Sequence, residues 1–287
     1  MNKQMIASLK QKGYFHQQDT EYFSLRIIPK AGSMTGLEMK KVVEISEKYG
    51  IGDIGFTTRQ CVEIPWIRFE DIEIINEELE KFGLISGGSG KRVAPIVSCK
   101  GTVCSYGLMD TQDLCNKLHD KYFGKELPAK FKIGITGCPN NCITAPINDL
   151  GFMGQRVPKV EEDKCKGCTL CMKSCKADAI IKKDKIVEIN YEKCLNCGRC
   201  ISVCPFKAMD VEKEGVAIYL GGKFGRKYRI GNRLENIFTM EGAEVITDKI
   251  LNYYAENGKP LERFADYVER VGIEEIKKLA DKIYKLQ

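Results

Sequence analysis

Eight of the fourteen cysteines lie between Cys165 and Cys204. They are Cys165, Cys168, Cys171 and Cys175, then Cys194, Cys197, Cys200 and Cys204, so each half reads C-x2-C-x2-C-x3-C. Thiolate is a soft ligand that suits iron–sulfur clusters or zinc. Zinc sites usually pair C-x2-C knuckles across a long spacer. Four thiolates within 11 residues instead fit a cube: three wrap one cluster, and the fourth, too far along to close it, reaches the other. The spacing therefore assigns Cys165, Cys168, Cys171 and Cys204 to one [4Fe–4S] cluster. Cys194, Cys197, Cys200 and Cys175 hold the second.

The two halves also repeat as sequence, DKCKGCTLCMKSCKADAI from Asp163 and EKCLNCGRCISVCPFKAM from Glu192, offset by 29 residues. This duplication has the spacing of a bacterial two-cluster ferredoxin. Pro205 follows the last cysteine of the second half, whereas Lys176 takes that place in the first, which predicts a local change of turn. A second constellation lies upstream. Cys99 and Cys104 sit in SCKGTVCSYG, Cys138 and Cys142 in TGCPNNCITAP, with 33 residues between the pairs. Gly- and Pro-rich turns can wrap a cube and aim amide N–H groups at its sulfurs. By spacing alone, a cluster, a zinc site and structural cysteines all remain open. Cys61 and Cys115 read as small buried residues.

Composition bounds these readings. The 287 residues suggest two domains, and 43% hydrophobic with 29% charged residues excludes a disordered chain. Only His16 and His119 supply imidazole. No apolar run approaches the ~18 residues of a membrane span, and the N-terminus has no signal-peptide core. A cytoplasmic, reducing location is expected, which disfavours disulfides. A net charge of +6 suits an anionic ligand or nucleic acid. No base-stacking aromatic strand supports nucleic acid.

TGCPNNC with the earlier CKGTVC resembles the siroheme-dependent sulfite and nitrite reductases, in particular small single-repeat members of the anaerobic and dissimilatory type that carry a ferredoxin block. SLRIIPKAG (24–32), TTRQ (57–60), LPAKFKIGITG (127–137) and LERFADYVERVG (261–272) resemble further segments of that family in the same order. The family's first cysteine pair is C-x5-C, one residue longer than here. The resemblance implies siroheme, a coupled [4Fe–4S] cluster on Cys99, Cys104, Cys138 and Cys142, and Cys142 as the thiolate bridging to the siroheme iron. It places Arg26, Arg59, Lys130 and Lys132 around the substrate and the siroheme carboxylates, with Arg92 a further candidate. Lys223, Arg226, Lys227, Arg229 and Arg233 could bind siroheme carboxylates, face an acidic electron donor, or be solvated. The implied activity is six-electron reduction of sulfite to sulfide, fed by an external donor protein through the two ferredoxin-type clusters. Alternatives are nitrite reduction to ammonia and a non-catalytic polyferredoxin. Longer relatives hold this unit twice, so a homodimer with shared sites is implied.

These residues need positioning elements. The expected fold is α+β, a mixed sheet with helices and an inserted two-cluster ferredoxin domain. Residues 1–65 read as a ferredoxin-like half domain, with strands in YFSLRIIP and IGDIGFTTRQCVEIP around a helix ended by Gly50. Residues 66–158 read as the siroheme and cluster domain. Residues 159–212 are the insert, and 213–287 return to the main domain through the strand GVAIYLGG and terminal helices. Lys130 and Lys132 alternate with Phe131 on a strand, so both point to one face.

Overall fold

The computed structural model describes residues 2–285. Its first unit runs through α1 (Lys3–Gln11), β1 (Tyr14–His16), β2 (Phe23–Ile27), α2 (Gly36–Tyr49), β3 (Gly55–Phe56), β4 (Val62–Ile67) and α3 (Ile72–Lys81). Phe23, Leu25 and Ile27 are fully buried while Ser24 and Arg26 between them are not, the period-2 pattern of a sheet with one covered face. The sheet is antiparallel in order β1-β2-β4-β3. Thr35 starts α2 with a reciprocal capping box to Glu38, and Val42 and Ile45 turn to the core. Ile72, Ile75, Leu79 and Leu84 join that same core. The first unit therefore continues to Leu84, not to residue 65. Helical periodicity identified α3 as a helix but carried no information on which core it covers.

The second unit comprises β5 (Val97–Ser98), α4 (Thr111–Tyr122), β6 (Ile133–Thr136), β7 (Leu150–Val160), α5 (Leu170–Ser174), β8 (Ile180–Lys183), β9 (Ile186–Ile189), α6 (Arg199–Ser202), β10 (Met209–Leu220), β11 (Asn232–Phe238), α7 (Met240–Asn257), α8 (Phe264–Val271) and α9 (Ile273–Tyr284). Its five-stranded sheet has the order β11-β10-β7-β6-β5. β5, β6 and β7 run parallel, and β10 returns antiparallel beside β7 from Met209↔Val160 to Leu220↔Leu150. Residues 161–208 hang from the far end of this long hairpin, with the small β8–β9 sheet and the short helices α5 and α6. β10 thus starts inside the segment assigned to the insert, and β11, which was not expected, extends the sheet beyond it. None of the helices among the described residues is long and apolar enough to cross a membrane.

Helices α4, α7, α8 and α9 share one apolar core with the second sheet. Phe131 is fully buried there, with its ring 5.0 Å from Phe264 and 5.8 Å from Tyr254. Its neighbours Lys130 and Lys132 take the opposite face, as the alternation predicts. Truncating Phe131 empties a site that rigid neighbours cannot refill. Phe131→Ala is expected to lower unfolding free energy by about 3–5 kcal/mol, measured by denaturant titration under anaerobic conditions.

Candidate functional site

The 29-residue repeat is repeated in backbone geometry. Thr169 before α5 and Gly198 before α6 share φ 65° and ψ 5°. The Ala179 N–H donates to Cys175 Sγ at 3.4 Å, and the Ala208 N–H donates to Cys204 Sγ at 3.3 Å. Amide donors of this kind stabilise charge on sulfur. Lys176 makes the same turn as Pro205, so the expected turn change is absent.

Cys165, Cys168, Cys171 and Cys204 line one small cavity, walled otherwise by the insert and by the tips of β7 and β10 at Val160 and Met209. Cys175, Cys194, Cys197 and Cys200 line a second, larger cavity of about 340 Å³. These are the two sets that spacing assigns. Among the described residues, no group of His, Cys, Asp or Glu closes on a single metal ion. Thiols that surround such a space suit a cube. Burial raises the Cys200 thiol to about 12, and the sulfurs of Cys194, Cys197 and Cys171 add to the shift. Cys171 belongs to the other set, so the two sites adjoin.

The upstream cysteines gather at the C-terminal end of the parallel strands. Cys99 follows β5 and accepts a hydrogen bond from the Gly137 N–H at 3.1 Å. Cys138 follows β6; burial raises its thiol, with the sulfurs of Cys142, Cys99 and Cys104 around it. The four-residue gap between Cys99 and Cys104 is folded into a turn: the Val103 N–H donates to the Lys100 carbonyl at 3.1 Å and the Cys104 N–H to the Gly101 carbonyl at 3.4 Å, and the Gly107 N–H then donates to the Cys104 carbonyl at 2.8 Å. A Cβ on Gly107 would stand 1.8 Å from the Gly101 oxygen. Cys138 also lines the larger cavity beside the second insert set. The insert is held there by polar links. The Asn196 side chain donates to Gln155 Oε1 at 3.2 Å, the Arg156 N–H donates to the Asn196 carbonyl at 2.7 Å, and the Tyr191 hydroxyl donates to the Pro158 carbonyl. Cys61 and Cys115 are buried apart from every set, and burial raises Cys115 to about 11.

The cations gather at the opposite end of β6. Arg59 donates to the carbonyls of Pro95 and Ile133 and to Asn148 Oδ1. Those bonds clamp the β3–β4 turn onto the second sheet, and burial lowers Arg59 to about 10. Arg26 pairs with Glu63 at 2.6 Å and lies over the Phe15 ring. The Phe131 N–H donates to the Arg92 carbonyl, while Arg92 Nε is buried without a partner. Lys130 and Lys132 have no hydrogen-bonded or ion-paired side-chain partner among the described residues. Burial lowers Lys130 to about 8, helped by the charges of Lys132, Arg59, Arg26 and Arg263. Lys132 shifts down for the same first reason.

Two residues here were not anticipated. Asp149 is fully buried, accepts the Lys132 N–H at 2.8 Å and binds Arg263 through both oxygens at 2.8 and 3.1 Å. Burial raises the Asp149 carboxyl, against the pull of Arg263. Arg263 Nε is also buried without a partner. The available signal was an Arg at the start of the closing segment LERFADYVERVG. Of the loop cations, Lys223 pairs with Asp266 and Arg229 with Glu269, while Arg233 donates to Gln155.

Comparison with known proteins follows the same division. Residues 89–286 match the nitrite and sulphite reductase 4Fe-4S domain. Residues 15–82 match the nitrite/sulfite reductase ferredoxin-like half domain. The chain belongs to the nitrite and sulphite reductase family. It is 37% identical over 278 residues to the coenzyme F420-dependent sulfite reductase of Methanocaldococcus jannaschii, covering 94% of this chain but 44% of that protein. An uncharacterised protein of the same organism is 33% identical, with 96% and 97% covered. The fold is that of dissimilatory sulfite reductase I, with a TM-score of 0.73 at 19% identity over 91% of this chain and 69% of that one. The family matches break between residues 82 and 89, where the first core also ends.

If each of the three cysteine sets holds a cube, Gly107→Ala is expected to displace Cys104 and cost about four irons per chain while the other eight are retained. Anaerobic iron and sulfide analysis reads the difference.

Proposed function

We propose that this chain reduces sulfite to sulfide with six electrons at a siroheme coupled to a [4Fe–4S] cluster on Cys99, Cys104, Cys138 and Cys142. Cys142 would also help to hold the siroheme. Two further clusters, held by the insert cysteines in the sets given above, carry electrons from an external donor protein. The observation that carries this reading is a crowd of cations with too few acids. Among the described residues Arg26, Arg59, Lys130, Lys132 and Arg263 meet only the acids Glu63 and Asp149, and Nε of Arg92 and of Arg263 has no partner. Such a donor set fits a macrocycle rich in carboxylates together with a small anion.

Siroheme and the clusters, when bound, supply an open iron and one-electron stores. The chain's own residues do the rest. Lys130 and Lys132 hold the anion and neutralise its charge. Lys130 Nζ, whose pKa burial lowers to about 8, delivers protons as oxygens leave as water. Arg263 and Asp149 hold the Lys132 backbone in place. Cys138 and the second insert set share one cavity, which shortens the path for electrons.

Lys132 and the Cys138 turn lie at opposite ends of β6, roughly 15–20 Å apart along the strand. The cations of one chain therefore serve the thiolates of another, and a homodimer is the simplest closed arrangement.

Anaerobic preparations should contain about thirteen irons per chain, three cubes and one siroheme, with a macrocycle band. Turnover of sulfite against nitrite under a dye reductant tests the substrate. Eight irons without that band would leave an electron carrier. Lys132→Ala should lower turnover with both anions while the macrocycle band persists. The Lys130 cation is present below its pKa and lost above it. KM for nitrite, whose charge is constant in this range, should therefore rise toward tenfold per pH unit above about 8. Lys130→Arg should flatten that rise.

A further inference from the structure

Where electrons enter follows from which cysteine set lies farther from the upstream cysteines. The set of Cys165, Cys168, Cys171 and Cys204 touches none of the upstream cysteine turns; its cavity is closed by the insert alone and the two strand tips. The other set shares its cavity with Cys138 and Pro139. The first set is thus the one farther from the upstream cysteines; each set has one exposed thiol, Cys168 and Cys197.

Around the first set stand five exposed lysines, Lys164, Lys166, Lys173, Lys185 and Lys207. None has a salt bridge or a side-chain hydrogen bond among the described residues. The Lys185 carbonyl packs against Gly167, 2.6 Å from where a Cβ would stand, so the β8–β9 turn lies on the Cys165–Cys168 turn. Three acids without a salt bridge, Glu162, Asp163 and Asp184, stand against these five cations. Leu170 and Phe206 are 45% and 46% exposed among them, an apolar centre within a basic rim. Basic loop 223–229 is no rival. Lys223 and Arg229 are already paired, and although Arg226 and Lys227 are exposed and unpaired among the described residues, the loop lies beyond Leu220, at the other end of β10 from the insert and both of its cysteine sets.

Resting on the function proposed above, we propose that this lysine-rimmed face docks a small acidic ferredoxin. The ferredoxin loses one electron to the cluster of this first set per encounter, and six encounters supply one sulfite. Lysines that carry no internal partner keep their full charge for complementarity, and the apolar centre excludes water at contact. Exposed charges of this kind act through steering and weaken as salt rises.

The test uses anaerobic holoprotein with an acidic two-[4Fe–4S] ferredoxin as probe. The readouts are the Kd of the oxidised probe and the rate at which the reduced probe bleaches the chain's iron–sulfur absorption. Lys185→Glu with Lys207→Glu should weaken binding and slow bleaching about tenfold at low salt, with the loss shrinking as salt rises. Lys185→Arg with Lys207→Arg should retain both. Bleaching by reduced methyl viologen should be unchanged in either variant. Equal ferredoxin affinity in the charge-reversed variant overturns the proposal, as does an equal loss with the dye. Bleaching that yields no sulfide would count against the catalytic reading and leave the docking face standing.

Discussion

The β7–β10 ladder is the constraint on which the rest of the molecule depends. The 11 residues of β7 pair along their whole length with β10, a span of roughly 35 Å. One end of this hairpin opens into the insert and the other into the cation cluster. Because both strands are locked in register, the insert cannot slide relative to the sheet without breaking the ladder. Every hydrogen bond from Gln155, Arg156 and Pro158 to the insert therefore inherits a fixed origin.

At the cation end the governing interaction is the pair between fully buried Asp149 and half-buried Arg263. An unpaired carboxylate at that depth would be strongly destabilising, and a lone arginine would be little better. Together they set one negative charge beneath several positive ones. That arrangement lowers the repulsion among Arg59, Lys132 and Arg263 without cancelling it. The residual positive field is what depresses Lys130, after burial has done most of the work. An anion arriving among these cations would relax that repulsion.

The grouping of the insert cysteines around two cavities was legible because three of each four lie close together in sequence, while the crossing of the fourth, Cys204 or Cys175, follows from the two-cluster ferredoxin spacing. The same holds for Lys130 and Lys132, whose common face needs only a period of two. Helix α3 was legible as a helix and not as a member of the first core, since periodicity names the apolar face but not its partner. Strand β11 escaped because Asn232 to Phe238 carries Asn, Arg and Glu among its apolar residues, and its pairing with β10 is fixed only by the return of the chain. The four carbonyl and amide bonds of Arg59, and the Asp149–Arg263 pair across 114 residues of sequence, depend on long-range packing that no local pattern encodes.

The separation of cations and thiols has the same origin. β5 and β6 are parallel, so the turns after them fall on one side of the sheet, and the segments before them fall on the other. Cysteines placed after these strands and basic residues placed before or across from them cannot share a pocket within one copy. Moving either group across the sheet would require reversing a strand, with the loss of its ladder. Juxtaposing two copies requires only complementary surfaces. A sheet of this connectivity therefore favours a site completed between units, whether the second unit is another chain or a tandem repeat in a longer one.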